Sequence, residues 1–287
     1  MSGQAARPLV LKFGGELLED RLHLATVVAA IAKIAGTSTP LVIVHGGGKE
    51  IDAALKVAGI EKRQVDGLRI TDEATLAVVV AVLAGAVNTR LVAALTAAGV
   101  QAVGLTGADG PCGLSIAAPP HRTAGEENGQ LVDLGRVGLP LPESDTTLLT
   151  TLVGNGFVPV VASIGVGLNG QLFNVNADTL AGHLAARLGA RRLIVAGTTA
   201  GVLGSDGRTL AALDASGIDR LVANRTATAG MIAKLGACQH ALTGGVDEVV
   251  IVDGRDQRTL EVAATGAVPA NATRIAGLKT CATGAQM

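Results

Sequence analysis

Two short apolar runs each end in consecutive glycines, and this pairing constrains the fold more than any other feature of the chain. The first reads Leu9-Val10-Leu11-Lys12-Phe13-Gly14-Gly15, the second Leu41-Val42-Ile43-Val44-His45-Gly46-Gly47-Gly48. A run of aliphatic and β-branched residues that stops at glycines reads as a buried parallel strand entering a turn. Glycine has no Cβ, so backbone N–H groups there approach an anion closely. A helix starting just beyond adds its positive end. With Lys12 beside the first turn, the pair points to a site that handles a polyphosphate.

The rest of the chain alternates apolar runs with amphipathic segments, the pattern of an α/β fold. Strands are expected at Leu9–Phe13, Leu41–Val44, Ala102–Leu105, Val158–Ala162, Leu193–Ala196 and Glu248–Val252. Helices are expected at Leu22–Ala35, Lys49–Ala58, Asp72–Leu95, Thr146–Asn155, Ala177–Leu188, Ser216–Ala223, Met231–Leu242 and Gln257–Thr265. Thr71-Asp72-Glu73 supplies a cap for the third helix, and Gly85 is placed to break it in two. Pro111–Pro142 reads as a β-flap, with Asn128-Gly129 as a hairpin turn and short antiparallel strands at Gln130–Leu134 and Arg136–Gly138. The expected division is an N-terminal lobe, 1–179, and a C-terminal lobe, 180–287.

Composition narrows the function. The 287 residues include no Trp or Tyr and three Phe, so the core is built from Ala, Val, Leu and Ile. A base-stacking surface needs aromatics, and a net charge of −1 gives no phosphate-backbone footprint, so no nucleic-acid partner is expected. The longest apolar stretch, Ala77–Val87, falls short of the roughly 18 residues of a membrane span. Cys112, Cys238 and Cys281 are odd in number and far apart, which indicates neither a disulfide framework nor a metal site. The N-terminus lacks the pattern of a signal peptide, so a cytoplasmic enzyme is expected.

Each motif has a plain structural explanation as well as a functional one. Lys12 is either a solvated strand-end lysine or a point charge for a phosphoryl group at the carboxyl end of a sheet. His45 reads as a structural hydrogen-bonding residue. Lys49 does not fit a phosphate-loop lysine, because Glu50 stands where that motif needs Ser or Thr. Gly165-Val166-Gly167-Leu168-Asn169-Gly170 matches GxGxxG as a string. It leads into Gln171-Leu172-Phe173, a strand, where a dinucleotide fingerprint needs a helix. In Asn174-Val175-Asn176-Ala177-Asp178, either Asn caps the following helix, or an Asn and the Asp contact a substrate. Arg69 is either an exposed arginine or a bidentate carboxylate clamp. Lys234 is unremarkable by itself.

Taken together, Lys12–Gly15, His45–Gly48, Asp66-Gly67-Leu68-Arg69-Ile70-Thr71, Asn174–Asp178 and Gly230-Met231-Ile232-Ala233-Lys234 resemble the motifs of the amino acid kinase family, in its order, across about 225 residues. Within that family the chain resembles the branch that phosphorylates N-acetyl-L-glutamate in arginine biosynthesis. The resemblance implies a three-layer αβα sandwich around a mainly parallel eight-stranded sheet, with ATP and Mg²⁺ as cofactors. It implies that Lys12 and Lys234 stabilise the transferring phosphoryl group and that Asp178 orients both. It assigns phosphate contacts to Gly14, Gly15 and Gly47, and places Gly47 and Gly48 near the substrate. Arg69 is assigned the α-carboxylate, Asn174 the acylamino group, and Thr198, Gly201 and Leu203 the nucleotide. Relatives carry an aspartate in a Ser/Thr-Asp-Val-x-Gly turn where this chain reads Gly197-Thr198-Thr199-Ala200-Gly201. A usual Gly-Thr-Arg-Ile is here Ala272-Thr273-Arg274-Ile275, and the flap carries an unusual Pro119-Pro120-His121. About eight residues precede the first strand, where arginine-inhibited relatives carry a helix that links dimers into hexamers, so a homodimer without strong arginine feedback is expected. The alternatives are a kinase for another acylated amino acid, such as N-succinylglutamate or carrier-linked aminoadipate, and a non-catalytic amino-acid or nucleotide sensor. Retention of Lys12, Lys234 and Asp178 argues against the sensor.

Overall fold

The computed structural model describes residues 7–123, 129–223 and 229–276. The two glycine-ended runs are neighbours: strands Leu9–Phe13 and Leu41–His45 lie parallel, with Lys12 opposite Val44. They form the middle of an eight-stranded sheet. Its spatial order is Ala212–Leu213, Thr273–Ala276, Glu248–Asp253, Arg192–Gly197, Leu9–Phe13, Leu41–His45, Val158–Ala162 and Ala102–Thr106. The last six of these run parallel, and only the first two run the other way.

Successive strand residues face opposite sides of a sheet, and here both sides are covered. Leu9, Leu11, Phe13 and Ile43 pack with Ile31 of helix Arg21–Ala35, with Leu91, and with Leu260 of helix Gln257–Thr265. Val10, Val42, Val44 and Val195 pack with Leu149 of helix Thr147–Gly154, Leu184 of helix Ala177–Arg187 and Leu235 of helix Ala229–Thr243. Two cores on one sheet make the αβα sandwich, and every expected strand and helix is present.

Gly85 does not divide the third helix. One helix runs Glu73–Ala97, capped by Asp72, which accepts from Thr75 N at 2.8 Å. Its central turns, Ala81–Val87, are π-helical, and Gly85 lies on their exposed side. The wide turn presses Leu83 and Val87 onto Gly47, where a Cβ would lie 2.9 and 3.2 Å from their methyl groups. At 25 residues this helix has the length and composition to cross a membrane, more than the Ala77–Val87 stretch promised. Leu76, Val79, Leu83, Val87, Leu91 and Leu95 nevertheless bury one face of it in this protein.

The flap differs in its pairing. Leu131–Val132 pairs with His121–Arg122, not with the Arg136 segment. Val137–Pro140 pairs antiparallel with Ser115–Ala117 and parallel with Leu172–Val175. Phe173 packs against Gly138 in this pairing: a Cβ on Gly138 would sit 2.6 Å from Phe173 Cβ and 3.1 Å from its Cγ. Asn128 of the expected turn lies outside the described residues. The GxGxxG string is the turn of a hairpin between Ile164–Val166 and Leu172–Val175, as its strand context required.

Buried Asn88 follows the π-turn and joins three strand ends. Its amide donates to Val160 O at 2.8 Å and to His45 Nε2 at 3.0 Å, with Leu105 O at 3.4 Å. Asn88→Ala leaves these acceptors orphaned, and the expected cost is about 2–3 kcal/mol, read as a lower denaturant midpoint at unchanged slope.

Candidate active site

The carboxyl ends of the central parallel strands carry the chemistry, where open α/β sheets bind ligands. Gly15 and Gly47 meet there backbone to backbone. A Cβ on Gly15 would lie 2.6 Å from Gly47 Cα, so neither turn tolerates a side chain between them. Gly15 precedes the short helix Glu16–Glu19, and Gly47 precedes helix Gly48–Val57. The first N–H groups of a helix have no intrahelical acceptor and remain free for an anion. Gly14 differs, since its N–H donates to Ala196 O at 3.2 Å.

Lys12, 6% exposed, ends its strand beside these turns. Its Nζ lies 2.9 Å from Asp178 Oδ1, and Lys234 Nζ lies 3.7 Å from the same oxygen. The two lysines are far apart in the chain, one on strand Leu9–Phe13 and the other on helix Ala229–Thr243, and meet at one carboxylate oxygen. Asn176, not Asn174, caps that helix, accepting from Asp178 N at 2.8 Å and Thr179 N at 3.2 Å. Burial alone would raise the Asp178 carboxyl, but the Lys12 and Lys234 charges outweigh it and hold its pKa below the usual range. Burial, then the Lys12 charge, lowers Lys234, while Asp178 works in the opposite direction. Cys238, one helical turn beyond Lys234, is pushed up to about 12 by burial and then by Asp178, and stays a neutral thiol.

His45 has the structural role expected of it. Burial pushes its pKa down to about 4, so the ring is neutral. The Asn88 amide donates to Nε2, which leaves the proton on Nδ1 facing Gly46 O at 3.2 Å.

A second group gathers on the N-terminal side. Asp66 and Gly67, both at positive φ, turn the hairpin between Gln64–Val65 and Leu68–Arg69. Arg69 is nearly buried. Its Nη2 donates to Asp52 Oδ1 and to Gly48 O at 3.3 Å, while buried Nη1 has no partner among the described residues. Thr71 Oγ1 donates to Arg69 O at 3.2 Å and accepts from Asn174 Nδ2 at 3.1 Å. The Thr71 backbone pairs with Leu134 and Arg136, fastening the flap here. A cavity of about 320 Å³ opens between Leu68, Asn176, Thr179 and Ala233.

Thr198–Gly201 follows strand Arg192–Gly197 at the same end of the sheet. Thr273 of the Ala272–Ile275 segment packs against this turn: its Oγ1 accepts from Val202 N at 2.8 Å and would lie 2.4 Å from a Cβ on Gly201. Leu203 is half exposed. Thr198 follows Gly197, where a Cβ would lie 3.9 Å from Lys234 Nζ. Sequence reasoning missed Glu16, Asp52 and Asn88, which carry no local signal; Thr71 was named in the helix cap and in the Arg69 motif, without a role at the site. The Glu16 carboxylate lies against Gly14 and next to Gly197, on the Lys234 side. Among the described residues no group of three or more His, Cys, Asp or Glu converges to hold a metal ion.

Paired buried lysines on one carboxylate, beside two glycine turns and an arginine with a free N–H edge, define an α/β phosphoryl-transfer protein. The model of the amino acid kinase family matches residues 7–253, and the chain belongs to that family. It is 42% identical over 236 residues to an acetylglutamate kinase of Novosphingobium aromaticivorans, covering 79% of this chain and 77% of that one. An acetylglutamate kinase of Granulibacter bethesdensis is 39% identical, with 81% and 78% covered. Among solved structures, N-acetylglutamate synthase from Neisseria gonorrhoeae, complexed with coenzyme A and N-acetyl-glutamate, superposes with a TM-score of 0.76. It is 25% identical over 94% of this chain and 59% of that one.

Asp178→Asn removes the anion that supports the Lys234 ammonium, so the Lys234 pKa falls further. The alkaline limb of the kcat profile moves to lower pH, and kcat at neutral pH drops by about 10²–10³, which a pH–rate series on both proteins checks.

Proposed function

We propose that this chain transfers the γ-phosphoryl group of ATP to the γ-carboxylate of N-acetyl-L-glutamate, giving N-acetyl-L-glutamyl 5-phosphate for arginine biosynthesis. The observation that carries this reading is the pair of lysines on Asp178 at the glycine turns. The kinase relatives supply the substrate.

A carboxylate is already ionised at neutral pH and needs no general base. Neutral, hydrogen-bonded His45 is consistent with that. The carboxylate oxygen forms a bond to the γ-phosphorus, the bond to ADP breaks, and the electron pair leaves with ADP. Lys12 and Lys234 face the charge that spreads over the phosphoryl oxygens, and Asp178 keeps both in place. Gly15, Gly47 and Gly48 offer N–H groups to the phosphates and the acceptor. Gly14, its N–H already engaged, serves by its small size. Arg69 Nη1 meets the α-carboxylate, and Asn174 meets the acylamino group. Thr198, Gly201 and Leu203 lie on the nucleotide side. Mg²⁺ when bound supplies positive charge to the β- and γ-phosphates, mostly through water and phosphate oxygens, and Glu16 is the acidic side chain at the glycine turns.

The substrate groups fall within 1–179 and the Thr198 turn within 180–287, which supports a substrate lobe and a nucleotide lobe. The free, buried thiols of Cys112 and Cys238 support a cytoplasmic setting. A homodimer is supported by helix Glu73–Ala97, of whose most apolar window only 33% is buried. Ala74, Ala77, Ala81 and Gly85 form a small-residue stripe on its exposed side, next to the sheet's edge strand Ala102–Thr106.

Acyl phosphate trapped as hydroxamate, with ATP, Mg²⁺ and N-acetyl-L-glutamate, tests the reaction. Lys12→Ala and Lys234→Ala each lower turnover by about 10²–10³; near-normal turnover in either overturns the roles given to the lysines. Light scattering should find two copies per particle, and Ala81→Glu should release monomers; a wild-type monomer refutes the dimer.

A further inference from the structure

Arg69 is buried, yet half of its guanidinium is already spoken for. One N–H of Nη2 goes to Asp52 Oδ1 and the other to Gly48 O, so that nitrogen is saturated. Nη1 is buried without a partner among the described residues. A buried unpaired guanidinium N–H is costly, and the cost is removed when an anion fills the place. With Nη2 taken, Nη1 is the buried edge of the guanidinium left open to a ligand.

The carboxylate of Asp52 sits beside an arginine read as a carboxylate receptor, where a second anion works against binding. The other oxygen of Asp52 resolves this: Lys62 Nζ lies 2.6 Å from Oδ2. Two cations share one anion, so one positive charge is left over, and it lies on the Arg69 side. Asp52 is only 30% exposed and projects from helix Gly48–Val57, whose first residue supplies the Gly48 carbonyl. Burial raises the Asp52 pKa, but Lys62 and Arg69 more than offset this and keep it ionised.

We infer that Asp52 is a positioning residue for substrate recognition: backed by Lys62, it ties Nη2 of Arg69 to the helix behind the second glycine turn, so that Nη1 faces the α-carboxylate of the acyl amino acid. This rests on the reading of Arg69 as the α-carboxylate receptor. Asp52 itself touches no reacting atom, so its effect falls on KM and not on the chemical step. It also sets the arginine's reach from the same backbone that lines the phosphate turn. The two ends of one substrate are thereby held from a single helix start.

The test compares N-acetyl-L-glutamate with N-acetyl-γ-aminobutyrate, which keeps the reacting carboxylate and lacks the α-carboxylate. Asp52→Asn, matched to the wild type in volume, should raise KM for N-acetyl-L-glutamate by about tenfold, with kcat lowered no more than about twofold. On the truncated substrate, kcat/KM should be the same for wild type and variant, and Asp52→Glu should recover part of the loss. An unchanged KM, or an equal loss on both substrates, overturns the role of Asp52. A wild-type enzyme that uses both substrates equally well overturns the Arg69 reading itself, and the inference with it. Differential scanning of both variants keeps a folding defect visible: an Asp52→Asn protein that unfolds early and loses kcat on both substrates also counts against the inference.

Discussion

The interaction on which the structure depends is one buried carboxylate shared by two buried ammonium groups. Asp178 opens its helix within hydrogen-bonding distance of Lys12 and close to Lys234. Charges taken out of water are costly unless compensated, and here two ammonium groups share the Asp178 carboxylate, with the Glu16 carboxylate on the Lys234 side. The lysine pair stands at the carboxyl ends of the parallel strands, beside the two glycine turns. Strand Leu9–Phe13, helix Ala177–Arg187 and helix Ala229–Thr243 must all be in place for this, so the fold and the chemistry are secured by the same contact.

The glycine turns have a second role besides exposing N–H groups. Gly15 and Gly47 touch, so the two parallel strands deliver their turns to one point, and the π-turn of Glu73–Ala97 braces that point through Leu83 and Val87. Asn88, just beyond the π-turn, ties the same helix to the strands of His45 and Val160. The substrate side is built by a separate chain of bonds, from Asn174 through Thr71 to the Arg69 backbone, with the flap attached at Leu134 and Arg136. The glycine turns are carried by strands of the central sheet, whereas the Arg69 group is a network of loops and hairpins.

Much of this was readable from residue order. The strands, the helices, the α/β class and both glycine turns followed from periodicity and from missing side chains, while the αβα layering came from the family resemblance. The hairpin nature of Gly165–Gly170 followed from what comes after it. Lys12 and Arg69 were singled out by position, and Asp178 as a helix-start residue able to contact a substrate, whereas Lys234 gained its meaning only from the family pattern. Asp52 and Asn88 were not found, because each acts through a partner far away in the chain: Arg69 in one case, His45 and Val160 in the other. Choosing between Asn174 and Asn176 as the helix cap was likewise beyond local reasoning, since both are good caps and only the backbone path excludes Asn174.

What the sequence alone determined is therefore whatever depends on neighbours along the chain: alternation of apolar runs, which makes parallel strands covered on both faces, and consecutive glycines, which leave room for an anion. What only the tertiary structure decided is whatever depends on groups meeting across the fold. The pairing of the flap brings Phe173 against Gly138, where no side chain fits, and the third helix runs on through a π-turn that carries Gly85 on its exposed side and packs on Gly47. The charge balance at Asp178 and the free edge of Arg69 belong to this second group. Burial and distance set both, and neither is a property of any short stretch of residues.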